Sequence, residues 1–167
     1  STYLPSYAEY LERARGDAPR RETLVIGEHY VPCDRLMAFM QRARAVLRAQ
    51  GSEVIYGIIR SILRDTVSFL PWAKDDYACV VFNLRTVHTA AGVRRTAAAF
   101  RALTDASVAL GGSFFLTYHR HASAAQVEAA HPNFREFLHR KRALDPHERF
   151  TSDWYRHYRD AFAAPTP

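Results

Sequence analysis

The sequence predicts an α+β domain of the ferredoxin-like type, a four-stranded antiparallel sheet of order β-α-β-β-α-β with both helices on one face. The first observation behind this prediction is the pattern of apolar residues along the chain. Segments in which apolar residues alternate, as in strands, and segments in which they recur every three or four residues, as in helices, follow one another in the order β-α-β-β-α-β. The second is length, since 167 residues suffice for one domain with a substantial core. A helical tail is expected after the last strand.

The first strand and helix are predicted from local signals. Residues 1–22 carry a capping-box pair, Ser6 and Glu9, and predict a short leading helix with a polar connector. β-Branched residues over 23–31 predict the first strand. Asp34 is expected to cap the following helix, which Gly51 ends in a left-handed conformation. The buried stripe of this helix is expected to comprise Leu36, Phe39, Met40, Ala43, Val46 and Leu47.

Two strands with unequal faces are predicted next. Residues 53–64 form the second strand, and residues 65–76 form a long loop whose aromatic residues indicate that it is packed. The second strand places Ile55, Ile59 and Leu63 on an apolar face. The third strand, 77–87, places Ala78, Val80, Phe82 and Leu84 toward the core. The mixed faces of the two strands, if they share the open side of the sheet, present Arg60, Arg64, Cys79, Asn83 and Arg85 to a partner domain or substrate.

The second half of the chain repeats the same signals. Thr89 is expected to cap a helix that Gly111 and Gly112 end, and residues 113–119 are expected to form the fourth strand. The buried positions of this helix are expected to be Val93, Ala97, Phe100, Leu103 and Leu110. The tail signals are a Ser123–Gln126 capping box, Pro132 in a first helical turn, a stripe of Phe134, Phe137, Leu138 and Leu144, and a Ser152–Asp153 cap before Trp154 and Tyr158.

Composition excludes several classes of function. The net charge is +6, but the arginines are scattered through every predicted helix, as on solvated helix faces, so nucleic acid is not the expected partner. No apolar segment reaches the roughly 20 residues that span a bilayer. Two unpaired cysteines favour a reducing cytoplasmic location. His119 and His121 lack a third ligand, and Cys33 lacks a His or Asp partner, so neither a metal site nor a nucleophilic cysteine is expected.

Two tail segments carry a resemblance to a known family. The segments GGSFFLTYHRHAS and HPNFREFLHRKRALDPHERFTSDWYR resemble the C-terminal end of FAD-linked oxidases of the vanillyl-alcohol-oxidase type, a group that includes decaprenylphosphoryl-ribose, aldonolactone and alditol oxidases. The upstream segments EHYVPCDRLMAFM and EVIYGIIRSILRDTVSFLPWAKDDYACVVFNL are similar, more loosely, to the substrate-cap region of that family.

The resemblance implies a separate role for each part of the chain. Residues 23–121 would form the substrate cap, and residues 122–167 would pack on an N-terminal FAD-binding domain of the same parent protein. That domain would hold most of the FAD, because no Gly-rich pyrophosphate-binding segment is present here. The implied reaction is oxidation of an alcohol, sugar, lactone or polyol by hydride transfer to flavin. The isolated chain, which begins with Ser1, is then expected to be an inactive fragment and to form a homodimer.

The resemblance also assigns site residues. Tyr118 stands where the family often has a Lys near the flavin and substrate, and Phe115 stands where the lactone oxidases carry a His. Tyr118 and the neighbouring His119 are therefore the expected catalytic residues, and Arg120 the expected cofactor-binding residue. Arg60, Cys79 and Asn83 would hold substrate from the cap sheet. The alternative is a free-standing ferredoxin-like binding or dimerisation module without catalysis.

Overall fold

Four strands and five α-helices form residues 21–163, the part of the chain that the computed structural model describes. The strands are β1 (Glu22–Pro32), β2 (Val54–Ile62), β3 (Tyr77–Val87) and β4 (Ser113–Phe114). The helices are α1 (Leu36–Ala49), α2 (Ala90–Val108), α3 (Ala124–Ala130), α4 (Phe134–Leu144) and α5 (Asp153–Ala163). The predicted leading helix, with its capping pair Ser6 and Glu9, lies outside the described residues.

The sheet has the strand order β2-β3-β1-β4 with every neighbouring pair antiparallel. This order is that of the ferredoxin-like split motif, so the predicted fold class is confirmed. Cys79 on β3 lies opposite Tyr30 on β1 and opposite Arg60 on β2. These three residues therefore form one row across the sheet, and the predicted placement of Arg60 and Cys79 on one face is confirmed.

The main core lies between the sheet and helices α1 and α2. Its buried members include Phe39 and Ala43 of α1 and the predicted β3 positions Ala78, Val80, Phe82 and Leu84. Phe100 of α2 packs directly on Gly27 of β1, where an added Cβ would lie 2.1 Å from the ring. Both helices thus cover the same face, and the opposite side of the sheet, here called the open face, is left to other contacts.

Several local signals are confirmed. The Thr89 hydroxyl accepts a hydrogen bond from the Gly92 amide at the start of α2, and Ser123 and Gln126 form the complete capping box of α3. Gly51 and Gly111 adopt positive φ where α1 and α2 end. The Ser152 hydroxyl accepts from the Tyr155 amide at the start of α5. Each of these features depends on a few consecutive residues, which is why sequence predicts it.

Three predictions about where helices and strands begin or end are wrong. Asp34 does not cap α1, because residues Cys33–Arg35 form a 3-10 turn and the Asp34 carboxylate pairs instead with Arg35 at 3.3 Å. Pro132 precedes α4 rather than occupying its first turn. The fourth strand covers only Ser113–Phe114, not 113–119. The chain leaves the sheet because Leu116 is buried in the tail core, where its carbonyl accepts from the Trp154 indole.

Four predicted core residues are solvent-exposed. Ile59 and Leu63 are 49% and 75% exposed, because β2 is an edge strand and α1 and α2 do not cover this part of it. Val93 in the first turn of α2 and Leu144 at the last residue of α4 are also exposed, at 47% and 88%. All four lie on or next to the edge strand or in a terminal turn of a helix. The apolar spacing of the sequence continues to these positions, but the packed surface of the core does not extend that far.

The tail packs against the domain that precedes it. Helices α3, α4 and α5 enclose a second core that includes Phe114 of β4. The predicted stripe residues Phe134 and Leu138 are buried there, and Phe137 is partly buried. The remaining buried members of this core are Leu116, Ala122, Val127, Ala130, Tyr155 and Tyr158. The tail therefore covers the β4 edge of the sheet.

Candidate functional site

A buried carboxylate, Glu28, lies at the centre of the open face. Its side chain belongs to a residue only 4% exposed. Oε1 accepts hydrogen bonds from the Tyr30 hydroxyl at 3.0 Å, the Arg60 guanidinium at 2.8 Å and the Cys79 thiol at 2.9 Å. Oε2 accepts a single longer bond from the Tyr118 hydroxyl at 3.3 Å. These five residues, Glu28, Tyr30, Arg60, Cys79 and Tyr118, are called the Glu28 cluster below.

Strand geometry assembles the cluster. Glu28 and Tyr30 are two residues apart on β1, so their side chains lie on the same face. Antiparallel pairing then brings Cys79 and Arg60 into the Tyr30 row. Tyr118 arrives from the turn after β4, which is held to β1 by the hydrogen bond from the Phe115 amide to the Glu28 carbonyl. The cluster thus draws on three strands and one turn that are far apart in sequence.

Hydrogen bonds keep the Glu28 carboxyl ionised. Burial alone would raise its pKa, because a low-dielectric environment disfavours the charged form. The bonds from Cys79, Arg60 and Tyr30 outweigh burial, and the net pKa of Glu28 is lower than its ordinary value. Arg60 is the counter-charge, and its guanidinium pKa is raised by hydrogen bonds to Cys79 and Glu28. At neutral pH the cluster therefore contains one negative and one positive charge.

The other three members are neutral donors. Burial, with the Glu28 hydrogen bond, raises the pKa of the Cys79 thiol to about 12. Burial and the neighbouring Glu28 charge also raise the pKa values of the Tyr30 and Tyr118 hydroxyls. Since the thiolate is the nucleophilic form of cysteine, Cys79 acts as a hydrogen-bond donor here and not as a nucleophile.

Only Tyr118 and Arg60 connect the cluster with solvent. Tyr118 is 42% exposed and the Arg60 side chain is 51% exposed, whereas Tyr30 and Cys79 are fully buried. A ligand on the open face would therefore meet a phenol and a guanidinium backed by a carboxylate. Such a set of donors and acceptors suits hydroxyl and carbonyl oxygens.

Aromatic side chains border these polar groups. Phe115 lies beside Tyr118, with ring centroids 4.8 Å apart. Trp72, from the loop between β2 and β3, packs edge-on against Tyr30 at 5.8 Å and is 40% exposed. The predicted packed loop is thus seen to close one end of the open face. The combination of a few polar groups and an aromatic border is typical of small-molecule sites.

The predicted substrate-binding residues are only partly brought together. Arg60 and Cys79 both contact Glu28. Asn83 lies on the same face, four residues further along β3 and so about 13 Å from Cys79. Its Oδ1 atom is buried and has no hydrogen-bond partner among residues 21–163. Asn83 therefore could contact only a ligand that extends along the strand.

Two further arginines predicted for the open face do not join the Glu28 cluster, although Arg85 shares the face of Cys79 and Asn83 on β3. Arg85 forms ion pairs with Glu22 at 2.7 Å and with Glu53 at 3.2 Å, so its charge is already neutralised. Arg64 lies beyond the end of β2 and is not part of the Glu28 cluster. Neither residue contacts Glu28.

The predicted catalytic pair is separated by the sheet. Tyr118 bonds to Glu28 on the open face, while the His119 ring lies 4.4 Å from the Phe100 ring, on the side of the helices. His119 also stacks with His121 at 4.6 Å, and burial lowers its pKa to about 3. The exposed Arg120 donates to the Asp153 carbonyl at 3.0 Å, which ties it to the tail. Its predicted cofactor role stays a prediction.

Sequence reasoning missed Glu28 and Tyr30. The available signal was one acidic residue within the largely apolar segment VIGEHYV of β1. Glutamate is almost never fully buried unless it is paired, so an acid inside a strand indicates partners elsewhere in the fold. The sequence did not show which residues those partners are.

Comparisons with known proteins add no family assignment. No family model matches the chain, and a search of curated proteins found no significant match. Among residues 21–163, no group of three or more His, Cys, Asp or Glu side chains is arranged to hold a metal ion. The helices formed by these residues are too short or too polar to cross a membrane.

Proposed function

We propose that this chain is the substrate-cap portion of an FAD-dependent oxidoreductase that oxidises an alcohol, sugar, lactone or polyol. Residues 23–121 would cover the substrate and residues 122–167 would contact the N-terminal FAD-binding domain of the same parent protein. The observation that carries the proposal is the Glu28 cluster, an ionised buried carboxylate that reaches the open face through the Tyr118 hydroxyl. The two free cysteines, one of them exposed, suit a cytoplasmic location.

The cluster supplies what an alcohol oxidation requires of the protein. When R₂CH–OH becomes R₂C=O, a hydride leaves carbon and a proton leaves oxygen; bound flavin supplies the hydride acceptor. Tyr118 would accept the hydroxyl proton while its own phenolic proton passes to Glu28 Oε2, 3.3 Å away. Arg60 would donate a hydrogen bond to the oxygen that becomes the carbonyl. Arg60 would supply the positive charge that the lysine of the resembled family provides and that Tyr118, which stands at the lysine position, lacks.

The described residues fit one part of the cofactor only. The half-exposed Phe115–Tyr118 pair offers a surface for one side of a flavin ring. The glycine pair after α2 is not a diphosphate cradle, because a Cβ on Gly112 would lie 1.8 Å from the Tyr30 carbonyl oxygen. That glycine permits a close approach of backbone to β1 instead. The diphosphate and adenosine would therefore be held by the FAD-binding domain, and the isolated chain would be inactive.

The proposal is tested by reconstitution. The chain is expressed with the coding sequence upstream of it, and the visible spectrum of the purified protein is recorded under anaerobic conditions with a panel of polyols and aldonolactones. We expect a yellow protein whose flavin absorbance is bleached by one substrate class. Removing one positioned acid–base group typically slows such a step about 10²-fold or more, which is the effect expected for Tyr118→Phe and Glu28→Gln.

A matched tyrosine on the same face serves as the control. Tyr56 is 54% exposed and makes no hydrogen bond to the Glu28 cluster, so Tyr56→Phe should leave the bleaching rate unchanged. Equal slowing in Tyr56→Phe and Tyr118→Phe would remove the assigned role of Tyr118. A stable, colourless product that binds no FAD would refute the oxidoreductase proposal itself.

One observation favours the second candidate, a binding or dimerisation module. Edge strand β2 exposes apolar side chains on both faces, namely Tyr56, Ile58, Ile59 and the adjoining Leu63. An uncovered edge strand is a template for pairing with another chain. If this edge forms a homodimer, sedimentation equilibrium should show a dimer that Ile59→Lys converts to monomer. A monomer at all concentrations would exclude dimerisation through this edge.

A further inference from the structure

A small cavity lies between the β2–β3 loop and the junction of α3 with α4. Its volume is about 230 Å³, and it shares no residue with the Glu28 cluster. The lining residues are Arg64, Asp65, Leu70, Pro71, Lys74, His131, Pro132 and Asn133. Since drug-sized ligands occupy roughly 300–1,000 Å³, this cavity suits a molecule of only a few non-hydrogen atoms.

The charge of the cavity favours an anion. Arg64 and Lys74 form no ion pair with any of the residues that the structure describes. Lys74 is half-buried, and burial lowers its pKa, as expected for an ammonium without a counter-charge. The Asp65 carboxylate is the only acidic lining group; the Val67 and Ser68 amides donate to its Oδ1, and its Oδ2 is buried without a partner among residues 21–163. The cavity therefore has two cations against one anion.

His131 adds a buried acceptor. The residue is 3% exposed, and its Nε2 lies 3.1 Å from the Phe114 carbonyl oxygen. A carbonyl only accepts hydrogen bonds, so Nε2 carries the proton and Nδ1 of the neutral ring is an acceptor. Burial lowers the pKa of His131 to about 4, which keeps the ring neutral. Nδ1 is buried and has no partner within residues 21–163, so a ligand in the cavity reaches it once the lining side chains shift to admit the ligand.

These groups together define the chemistry of a ligand. Two cationic donors require acceptor oxygens with negative charge, and an imidazole acceptor requires an O–H or N–H donor. We propose that this cavity binds a small anion that carries a hydroxyl group, of which hydrogen phosphate and a 2-hydroxycarboxylate are the simplest examples. The oxyanion contacts Lys74 and Arg64, and the hydroxyl donates to Nδ1 of His131. Binding joins the β2–β3 loop to the tail.

The test is an NMR titration of the complete 167-residue chain at pH 7.5 and constant ionic strength. Inorganic phosphate, lactate and acetate are added separately, each to about 50 mM, a range that detects millimolar dissociation constants. The side-chain ¹⁵N signals of His131 report on Nδ1 directly. We expect saturable shifts of these signals with phosphate and lactate. Acetate, which has the charge but no hydroxyl, should bind at least several-fold more weakly and leave Nδ1 unchanged.

Charge-removing variants locate the site. Lys74→Met and Arg64→Gln should each weaken phosphate binding about tenfold, the usual scale for a charge-assisted hydrogen bond. Arg64 is exposed, so Arg64→Gln should fold even if Lys74→Met does not. Arg94→Gln removes an exposed arginine that does not line the cavity and should leave the affinity unchanged. The absence of any saturable shift, or equal weakening by Arg94→Gln and Arg64→Gln, would overturn the proposal.

Discussion

Acidification from pH 7.5 to 5.0 should destabilise the fold strongly, because burial holds three of its histidines, His29, His119 and His131, in the neutral form. His29 is 1% exposed, packs among Phe39, Phe82 and Phe100, and has neither ring nitrogen bonded within the described residues. Burial lowers the pKa values of His29 and His119 to about 3 and that of His131 to about 4. All three values lie well below 6.5, the value for an unperturbed imidazole.

The direction in which stability changes with pH follows from the number of protons bound in the folded and unfolded states. Between pH 6.5 and about 4 the unfolded chain protonates these rings and the folded chain does not, so stability is complete above pH 6.5 and is lost as the pH falls. At pH 5.0 the unfolded-state pKa is about 1.5 units above the pH, which at 1.36 kcal/mol per unit amounts to about 2 kcal/mol for each ring. The three rings His29, His119 and His131 together cost about 6 kcal/mol of a typical 5–15 kcal/mol.

Urea unfolding at pH 7.5, 6.5, 5.5 and 5.0 measures this loss. The carboxylates contribute little in this range, since their unfolded-state pKa values lie near 4. His29→Leu should remove about 2 kcal/mol of the pH dependence, whatever it does to stability at pH 7.5, because leucine cannot be protonated. His139, whose side chain is 78% exposed, supplies the control His139→Gln, which should keep the wild-type pH dependence. An unchanged pH dependence in His29→Leu would refute the reasoning.

Three other predictions address packing, capping and thiol access. Gly112→Ala should lower the free energy of unfolding by about 3 kcal/mol or prevent folding, because the added Cβ would lie 1.8 Å from the Tyr30 carbonyl oxygen. Gly51→Ala should cost only about 1 kcal/mol, because nothing lies within 4 Å of the added Cβ and the only cost is the φ of +57°. Equal losses in thermal unfolding would contradict this difference. Thr89→Ala should lower the free energy of unfolding by about 1 kcal/mol through loss of the α2 cap, measured in urea; no change would refute the cap. A chromogenic disulfide reagent at pH 8 should label exposed Cys33 at once and buried Cys79 only after unfolding; rapid labelling of both would exclude the described burial.

The candidate site was predictable only in part. Arg60, Cys79 and Tyr118 were identified from strand alternation and from the family resemblance, and the structure places all three at Glu28. Glu28 itself was missed, because its importance depends on partners from β2, β3 and the turn after β4. Tyr118 and His119 were expected to act together, but Tyr118 lies at Glu28 and the His119 ring lies beside Phe100 on the helix side. Side-chain alternation in an extended segment already places neighbouring residues on opposite faces, so this separation was predictable from the sequence.

By itself the sequence determined the order of the elements, the buried face of β3 and the ends of the main helices. These follow from side-chain periodicity and from residues such as Thr89, Gly51 and Gly111, whose effects on the backbone are local. Only the tertiary structure decided where β4 ends, which residues of β2 stay exposed, and how a carboxylate is kept ionised inside the sheet. Those outcomes depend on which distant segment occupies the neighbouring space, and short-range periodicity does not encode that choice.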